Sequence, residues 1–528
     1  MWFLNVPFLS GTEDALLQQE IVFVLLMLVI SSVALVVRKV RIPYTVALVL
    51  VGLGVSVVST SGLVGLPVTL ATDLTSGLRG EFTSELILAL LVPPLVFEAA
   101  LHLNWKRLRQ EWLTVFLLAV PGVLIATFII SEVISVQLEI PFAIAMTFGA
   151  LISATDPVAV ITFFRTLGVD KRLSILMEGE SLLNDGVAVV LFSLAVTASQ
   201  GTQGFSILGG LLNFARVAGG GILVGLAVGW VAAQILRRVD DNLIETTLTM
   251  ALAVGSFVAA ERLGVSGILA VVSAGVLVGS TSVEKMSATT KITLENFWEL
   301  LAFIANSAVF LILGIQINVG DLFSNATLIL VAVVAILVSR AIVVYSMTWL
   351  SSRVGQPISM KYRHVLFWGG LRGAVSLALA LSLQGPYTDK LRLMTFGVVL
   401  FTLLVQGLTI EPLIKRLKLS SMVRSAEQQR QLARLLMMRA SKHELDSMRD
   451  EGMLAQPTWQ VLNEMTEDNI QAILNEHPDL ERLILTGARR DMLRAKRAAL
   501  AESLHRGAIS QEVYIEELHD LDKRIMVW

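Results

Sequence analysis

The chain has 528 residues, 55 % of them hydrophobic and only 16 % charged, with a mean hydropathy of +0.72. That is more apolar sequence than a soluble core requires, which excludes an ordinary soluble domain and reads as a polytopic membrane protein. There is no cysteine, so disulfides, thiolate metal sites and thiol catalysis are excluded. The net charge of −2 says little, because charge is segregated along the chain.

In chain order, residues 1–19 carry no basic n-region and no small-residue cleavage site before the first apolar run. They are expected to form a retained external segment rather than a cleaved signal. Apolar windows punctuated by charged or Gly/Pro-rich turns then predict about thirteen spans. They lie near 20–37, 43–60, 84–103, 112–131, 141–165, 174–199, 207–236, 244–262, 265–280, 295–317, 327–350, 362–384 and 391–416. The stretch 207–236 is long enough to be steeply tilted or kinked.

The basic residues test this count. Alternate loops hold 16 basic residues, namely Arg38, Lys39, Arg41, Lys106, Arg107, Arg109, Arg165, Lys171, Arg172, Arg237, Arg238, Lys285, Lys291, Arg353, Lys361 and Arg363, while the intervening loops hold only Arg79, Arg262, Lys390 and Arg392. Miscounting one span would scramble this alternation, so the split predicts an external N-terminus and a cytoplasmic C-terminus. After Lys415 the character changes. Residues 20–417 read as the transmembrane domain and 418–528 as a small helical cytoplasmic domain. Its helical patterns run over Glu427–Arg449, Asp491–His505 and Gln511–Arg524. Sequence leaves open whether that tail only stabilises the protein or regulates it through an unknown ligand.

Chemistry concentrates in two neighbouring spans. Leu176–Phe192 is apolar enough to enter a membrane, yet it carries Glu178, Glu180, Asn184 and Asp185. A carboxylate in mid-bilayer costs about 2.5–3.5 kcal/mol on insertion scales. Leu151–Val160 adds Thr155 and Asp156 before Pro157. Proline removes a backbone donor and disfavours helix at Asp156, so the span should break there. Such a break should leave carbonyls and the Thr155 hydroxyl unpaired in mid-membrane, where broken helices supply ion ligands.

In the second span Ser181 and Asp185 are i,i+4 neighbours, as are Glu180 and Asn184. Oxygen ligands without His or Cys suit a hard cation such as Na⁺, with Asp185 and Asp156 as its carboxylates. Competition between a proton and a cation for Asp185 is the minimal chemistry of an exchanger. Glu180 needs a counter-charge, for which Arg340 and Arg372 are the candidates in late spans. Glu98 could line an access funnel.

At these residues the chain resembles the NhaP and sodium–proton exchanger family of sodium/proton antiporters, within the cation/proton antiporter group. The match covers about residues 20–417. It rests on Thr155-Asp156-Pro157, on the run Gly179-Glu180-Ser181-Leu182-Leu183-Asn184-Asp185-Gly186, and on Gly369-Gly370-Leu371-Arg372-Gly373. The resemblance implies an all-α fold of thirteen helices with an inverted repeat and two crossing broken helices, here 141–165 and 362–384.

It also implies a multi-pass homodimer in a bacterial inner membrane, with lipid around it and no nucleic-acid partner. Cation binding would fall to Asp185 with Asp156, Ser181 and the Thr155 region. Glu180 would form a structural ion pair, with Arg340 favoured over Arg372 by position. Members with Asn before the key Asp resemble electroneutral exchangers, which Asn184 would make this one. No cofactor is expected beyond the transported Na⁺ (or Li⁺) and H⁺. A K⁺/H⁺ or Ca²⁺/H⁺ exchanger of the same fold is the nearest alternative. A cation channel or an intramembrane aspartyl protease built on Asp156 and Asp185 is more remote.

Overall fold

A computed structural model describes residues 10–37, 43–61, 91–103, 105–200, 207–239, 241–283, 286–317, 319–419 and 426–476, with scattered positions beyond 491. Arg38, Lys39, Arg41, Arg79 and Lys285 of the loop tally lie outside these residues. So do most of the Asp491–His505 and Gln511–Arg524 patterns. The chain divides into two compact units, Met1–Ser421 and Met422–Trp528. Every regular element among the described residues is helical.

The first unit begins with α1 (Ser10–Val37), ten residues ahead of the predicted span, then α2 (Tyr44–Ser61) and α3 (Val92–His102). The apolar stretch that follows is longer than predicted. It runs as α4 (Trp105–Ala119) and α5 (Pro121–Leu138), which meet at a proline step. Next come α6 (Phe142–Ser153), α7 (Val158–Leu167), α8 (Lys171–Gln200) and α9 (Ile207–Leu236). They are followed by α10 (Asn242–Arg262), α11 (Gly267–Thr281), α12 (Ala288–Gln316) and the short α13 (Val319–Ser324). The unit ends with α14 (Ala326–Val354), α15 (Met360–Trp368), α16 (Ala374–Ser382), α17 (Thr388–Phe401), a π-helical turn (Thr402–Gln406) and α18 (Gly407–Arg416).

Among the described residues, eight helical stretches are long and apolar enough to cross a membrane, and α2, α11 and the Val24–Val37 part of α1 are shorter apolar helices. Local chemistry sets several ends. Asp241 caps α10 by accepting from the Leu243 and Ile244 N–H groups at 2.9 and 3.0 Å. Ser266, Ser287 and Ser359 cap α11, α12 and α15 in the same way, which satisfies donors that a helix start leaves open. Gly168 closes α7 in the left-handed conformation, at φ 64°.

Two groups of helices position the site. In one, α8 packs on α6 and α4, and α5 packs on α6 and α14. In the other, α9 packs on α11, α11 on α3, and α2 on α12. Apolar side chains facing outward, such as Leu223, Phe128 and Leu330, are what lipid-facing helices present. The interior packs Phe97 on Trp298 at 4.5 Å between ring centroids, and the Trp298 indole N–H donates to Thr249 at 3.0 Å.

The second unit contains α19 (Ala426–Asp450) and α20 (Gln456–Glu476), an antiparallel pair. Lys442 meets Glu467 at 3.0 Å, the Trp459 indole donates to Asp446 at 3.1 Å, and the Arg449 guanidinium lies over the Trp459 ring.

Candidate functional site

Two interrupted helices supply the backbone of the site. The first break follows α6, where Ala154 turns extended (φ −58°, ψ 138°) and Pro157 forces a restart at Val158. Asp156 Oδ1 caps the restart by accepting the Val158 N–H at 2.9 Å. The second break, Gly369–Gly373, separates α15 from α16. Its glycines are required by close approach. A Cβ on Gly370 would come within 2.7 Å of Arg340 Nε, and one on Gly373 would collide with the Asp156 side chain.

The breaks meet each other. The Asp156 N–H donates to the Leu371 carbonyl at 2.8 Å. Arg372 Nη1 donates back to the Ser153 and Ala154 carbonyls at 2.9 and 3.1 Å. Ser376, at the start of α16, donates to the Ala154 carbonyl at 3.3 Å. From α8, the Ser181 hydroxyl donates to the Thr155 carbonyl. Asn184 Nδ2 reaches the Ser153 carbonyl at 2.9 Å, the Thr155 hydroxyl at 3.1 Å and Glu180 Oε1 at 3.3 Å.

This differs from the expectation that the break leaves free carbonyls. The carbonyls of residues 153, 154 and 155 are each taken by a protein donor, and so is the Thr155 hydroxyl. Burial explains it: Ser153, Thr155, Ser181 and Asn184 are buried, and a polar group unpaired in a dry interior costs several kcal/mol. Ser181, Thr155 and Asn184 therefore act in this structure as the frame that fixes the break.

Asp156 and Asp185 are half-buried. The Asp185 Oδ1 atom is buried and has no partner, and neither has Asn184 Oδ1. The charged neighbours of Asp185 are Asp156, Glu180 and Arg372, and the Thr155 backbone N–H is turned to its carboxylate.

Glu180 is met by Arg340 from α14. Arg340 Nη1 and Nη2 donate to the two carboxylate oxygens at 2.7 and 3.0 Å, with Glu180 and Arg340 only 1 and 8 % exposed. Nη2 also donates to the Leu366 carbonyl at 3.0 Å. Arg372, the other candidate, spends its guanidinium on the first break. Glu180, Asp156, Asp185, Arg340 and Arg372 thus form one cluster. Its three carboxylates and two guanidiniums leave a single net negative charge when all are ionised.

Glu98 does not join this cluster. It lies near the end of α3, with His102 Nδ1 3.4 Å from its Oε1. Its charged surroundings include Arg165, Glu299 and Glu178. Among the described residues no group of three or more His, Asp or Glu could hold a resident metal ion.

Sequence reasoning passed over Ser376, whose only signal is a hydroxyl in an apolar half-helix beside a Gly-rich break. It also read Arg172 as a loop charge. Arg172 is in fact bidentate to the buried Glu111 of α4, at 2.6 and 3.1 Å, and donates to the Gln356 and Pro357 carbonyls before α15. A lone carboxylate in the Trp105–Ala119 stretch was the available clue.

Residues 23–416 match the family model described as sodium/hydrogen exchanger, transmembrane. The Na⁺/H⁺ antiporter ApNhaP of Aphanothece halophytica is 42 % identical over 383 residues, covering 72 % of this chain and 70 % of that protein. The Na⁺/H⁺ antiporter NhaS2 of Synechocystis is 32 % identical over 521 residues, which is 95 % of this chain and 92 % of that one. The solved sodium proton antiporter MjNhaP1 of Methanocaldococcus jannaschii shares the fold. Its TM-score is 0.63 at 22 % identity, over 77 % of this chain and 99 % of that chain.

Proposed function

Since the chain belongs to the sodium/hydrogen exchanger family, we propose that it exchanges Na⁺ or Li⁺ for H⁺, with Asp185 holding either the cation or the proton. The observation that carries this reading is the buried, unpartnered Asp185 Oδ1 in a cluster with one net negative charge. One monovalent cation neutralises that charge, and so does one proton. The site can therefore be emptied of one only as it takes the other, without leaving a bare charge in low dielectric.

Asp156 is the second carboxylate at the cation. Ser181, Thr155 and Asn184 hold the first break rigid, and the Glu180–Arg340 pair ties α8 to α14. Because Asn184 is neutral, each cycle moves one charge each way and the exchange is electroneutral. The chain crosses the membrane thirteen times, N-terminus outside and C-terminus in the cytoplasm, as a homodimer of a bacterial inner membrane. The alternation of basic residues along the sequence supports that orientation.

The decisive experiment is reconstitution into liposomes with a pH-sensitive dye and added Na⁺, Li⁺, K⁺ or Ca²⁺. Asp185→Asn should abolish exchange and Asp156→Asn should impair it severely, with both proteins folded. Wild-type exchange by Asp185→Asn would overturn the assignment. Exchange with K⁺ or Ca²⁺ but not Na⁺ would keep the site and change its cargo.

A further inference from the structure

The sequence groups Arg392 with the basic residues of the sparsely charged loops, but in the structure it stands inside α17. It is half-buried, whereas Asp389 and Lys390 just before it are exposed. Its guanidinium is turned onto the end of α16. Nε donates to the Ala380 carbonyl at 3.1 Å, and Nη2 donates to the Leu381 and Leu383 carbonyls, both at 2.8 Å. The Ser382 hydroxyl donates to the Leu379 carbonyl at 2.8 Å. A helix leaves its last carbonyls without helical partners, and a permanently charged fork of donors suits several of them at once. Among the described residues, every side-chain hydrogen bond of Arg392 goes to a carbonyl.

The other end of α16 meets the cation site. Gly373, just before the helix, is packed so closely on Asp156 that a Cβ there would collide with the carboxylate side chain. Ser376, in the first turn, donates to the Ala154 carbonyl at 3.3 Å. Gly373 and Ala380 are seven residues apart, about 10 Å along a helix. Between them every side chain of α16 is buried, and all but Ser376 are apolar. Apolar packing is non-directional and resists sliding along the axis weakly. Hydrogen bonds at the two ends therefore set where this half-helix stands.

We propose that Arg392 is a positioning residue of the cation site. By holding the carbonyl end of α16 it fixes how closely the half-helix stands against Asp156. Gly373 leaves no room to advance. Without the guanidinium α16 is free to retreat, which draws Ser376 from the Ala154 carbonyl and loosens Asp156 relative to Asp185. The inference rests on the reading of Asp185 and Asp156 as the cation site. It adds a determinant on α17, a helix that supplies no ligand.

The test uses full-length protein in liposomes, measuring Vmax and apparent KM for Na⁺ and for Li⁺. Arg392→Leu removes the donors. A net loss of one hydrogen bond corresponds to a rise in KM of roughly two- to tenfold. The Na⁺-to-Li⁺ ratio of KM should shift too, because ions of different radius need different spacing of the two carboxylates. Arg392→Lys keeps the charge but offers a point ammonium where a planar fork spans several carbonyls, so it should fall between wild type and Arg392→Leu. Ser376→Ala removes the contact at the opposite end of the same half-helix. Both changes act through the position of α16, so the double mutant should raise KM by less than the product of the single effects. If Arg392→Leu does not fold, Arg392→Lys carries the same comparisons.

Unchanged KM and ion ratio, a loss confined to Vmax and Tm, or effects of Arg392 and Ser376 that multiply in full would overturn the positioning role. Asp185→Asn runs in parallel. If it is inactive while Arg392→Leu matches wild type, this inference fails and the site stands. If Asp185→Asn still exchanges, the site reading fails and takes this inference with it.

Discussion

Removing one partner of the Glu180–Arg340 pair tests the cluster most sharply. The two bonds of 2.7 and 3.0 Å join side chains that are almost fully buried. At an effective dielectric of about 20 and a charge separation of about 4 Å, their attraction is about 4 kcal/mol. Arg340→Ala leaves Glu180 with only the Asn184 amide, at 3.3 Å. Glu180→Ala leaves Arg340 with only the Leu366 carbonyl. Each single change strands a buried charge and should destabilise by about 3–5 kcal/mol.

The double mutant strands neither, so it should lose less than the sum, by a coupling of about 2–4 kcal/mol. Charge makes a second prediction. Glu180→Ala brings the cluster to neutrality and Arg340→Ala makes it doubly negative, whereas the double mutant restores the single negative charge. Exchange should therefore be weaker in either single mutant than in the double. The assay is thermal unfolding of purified protein in detergent, with exchange measured in liposomes. Additive losses with no coupling, or a double mutant less active than both singles, would refute the reasoning.

Three further outcomes follow from the same geometry. With valinomycin and K⁺ setting the membrane potential, the steady-state pH gradient should not move, although one uncompensated charge would be worth about 2.3 kcal/mol per 100 mV; a shift with voltage would mean that more than one charge is carried. Apparent KM for Na⁺ should rise as pH falls at constant Vmax, because proton and cation occupy one carboxylate; a KM independent of pH would separate the two sites. Arg172→Lys keeps the charge but cannot make the paired bonds to Glu111 while also reaching the Gln356 and Pro357 carbonyls, so unfolding should show a loss of about 1.5–3 kcal/mol, and an unchanged Tm would dismiss the clamp.

What the residues determine by themselves is whatever depends on short range. The membrane helices were legible because a span of about 20 apolar residues is a property of one segment in contact with lipid. The first break was legible because Pro157 acts on its own backbone, whereas the second, within 362–384, was expected from the family resemblance. The acidic cluster was legible because Glu180, Asn184 and Asp185 sit in one apolar run, where no bland reading accounts for all three.

Partner choice was legible only in part, because it is settled between segments: the resemblance favoured Arg340 for Glu180 by position, and the structure pairs the two, but the residue types alone do not choose. Arg340 and Arg372 are equally basic and equally intramembrane. Only the packing of α14 on the site side, 160 residues from Glu180, gives one the carboxylate and the other the carbonyls of the first break. The same holds for those carbonyls. Proline frees them locally, but the donors that occupy them come from Ser181 and Asn184 on α8, Arg372 in the second break and Ser376 on α16. Arg172 looked like one more loop charge because its carboxylate partner stands 61 residues earlier. A charge or an unwound backbone declares the need for a partner in one dimension; which partner meets it is decided by what the fold brings within 3 Å.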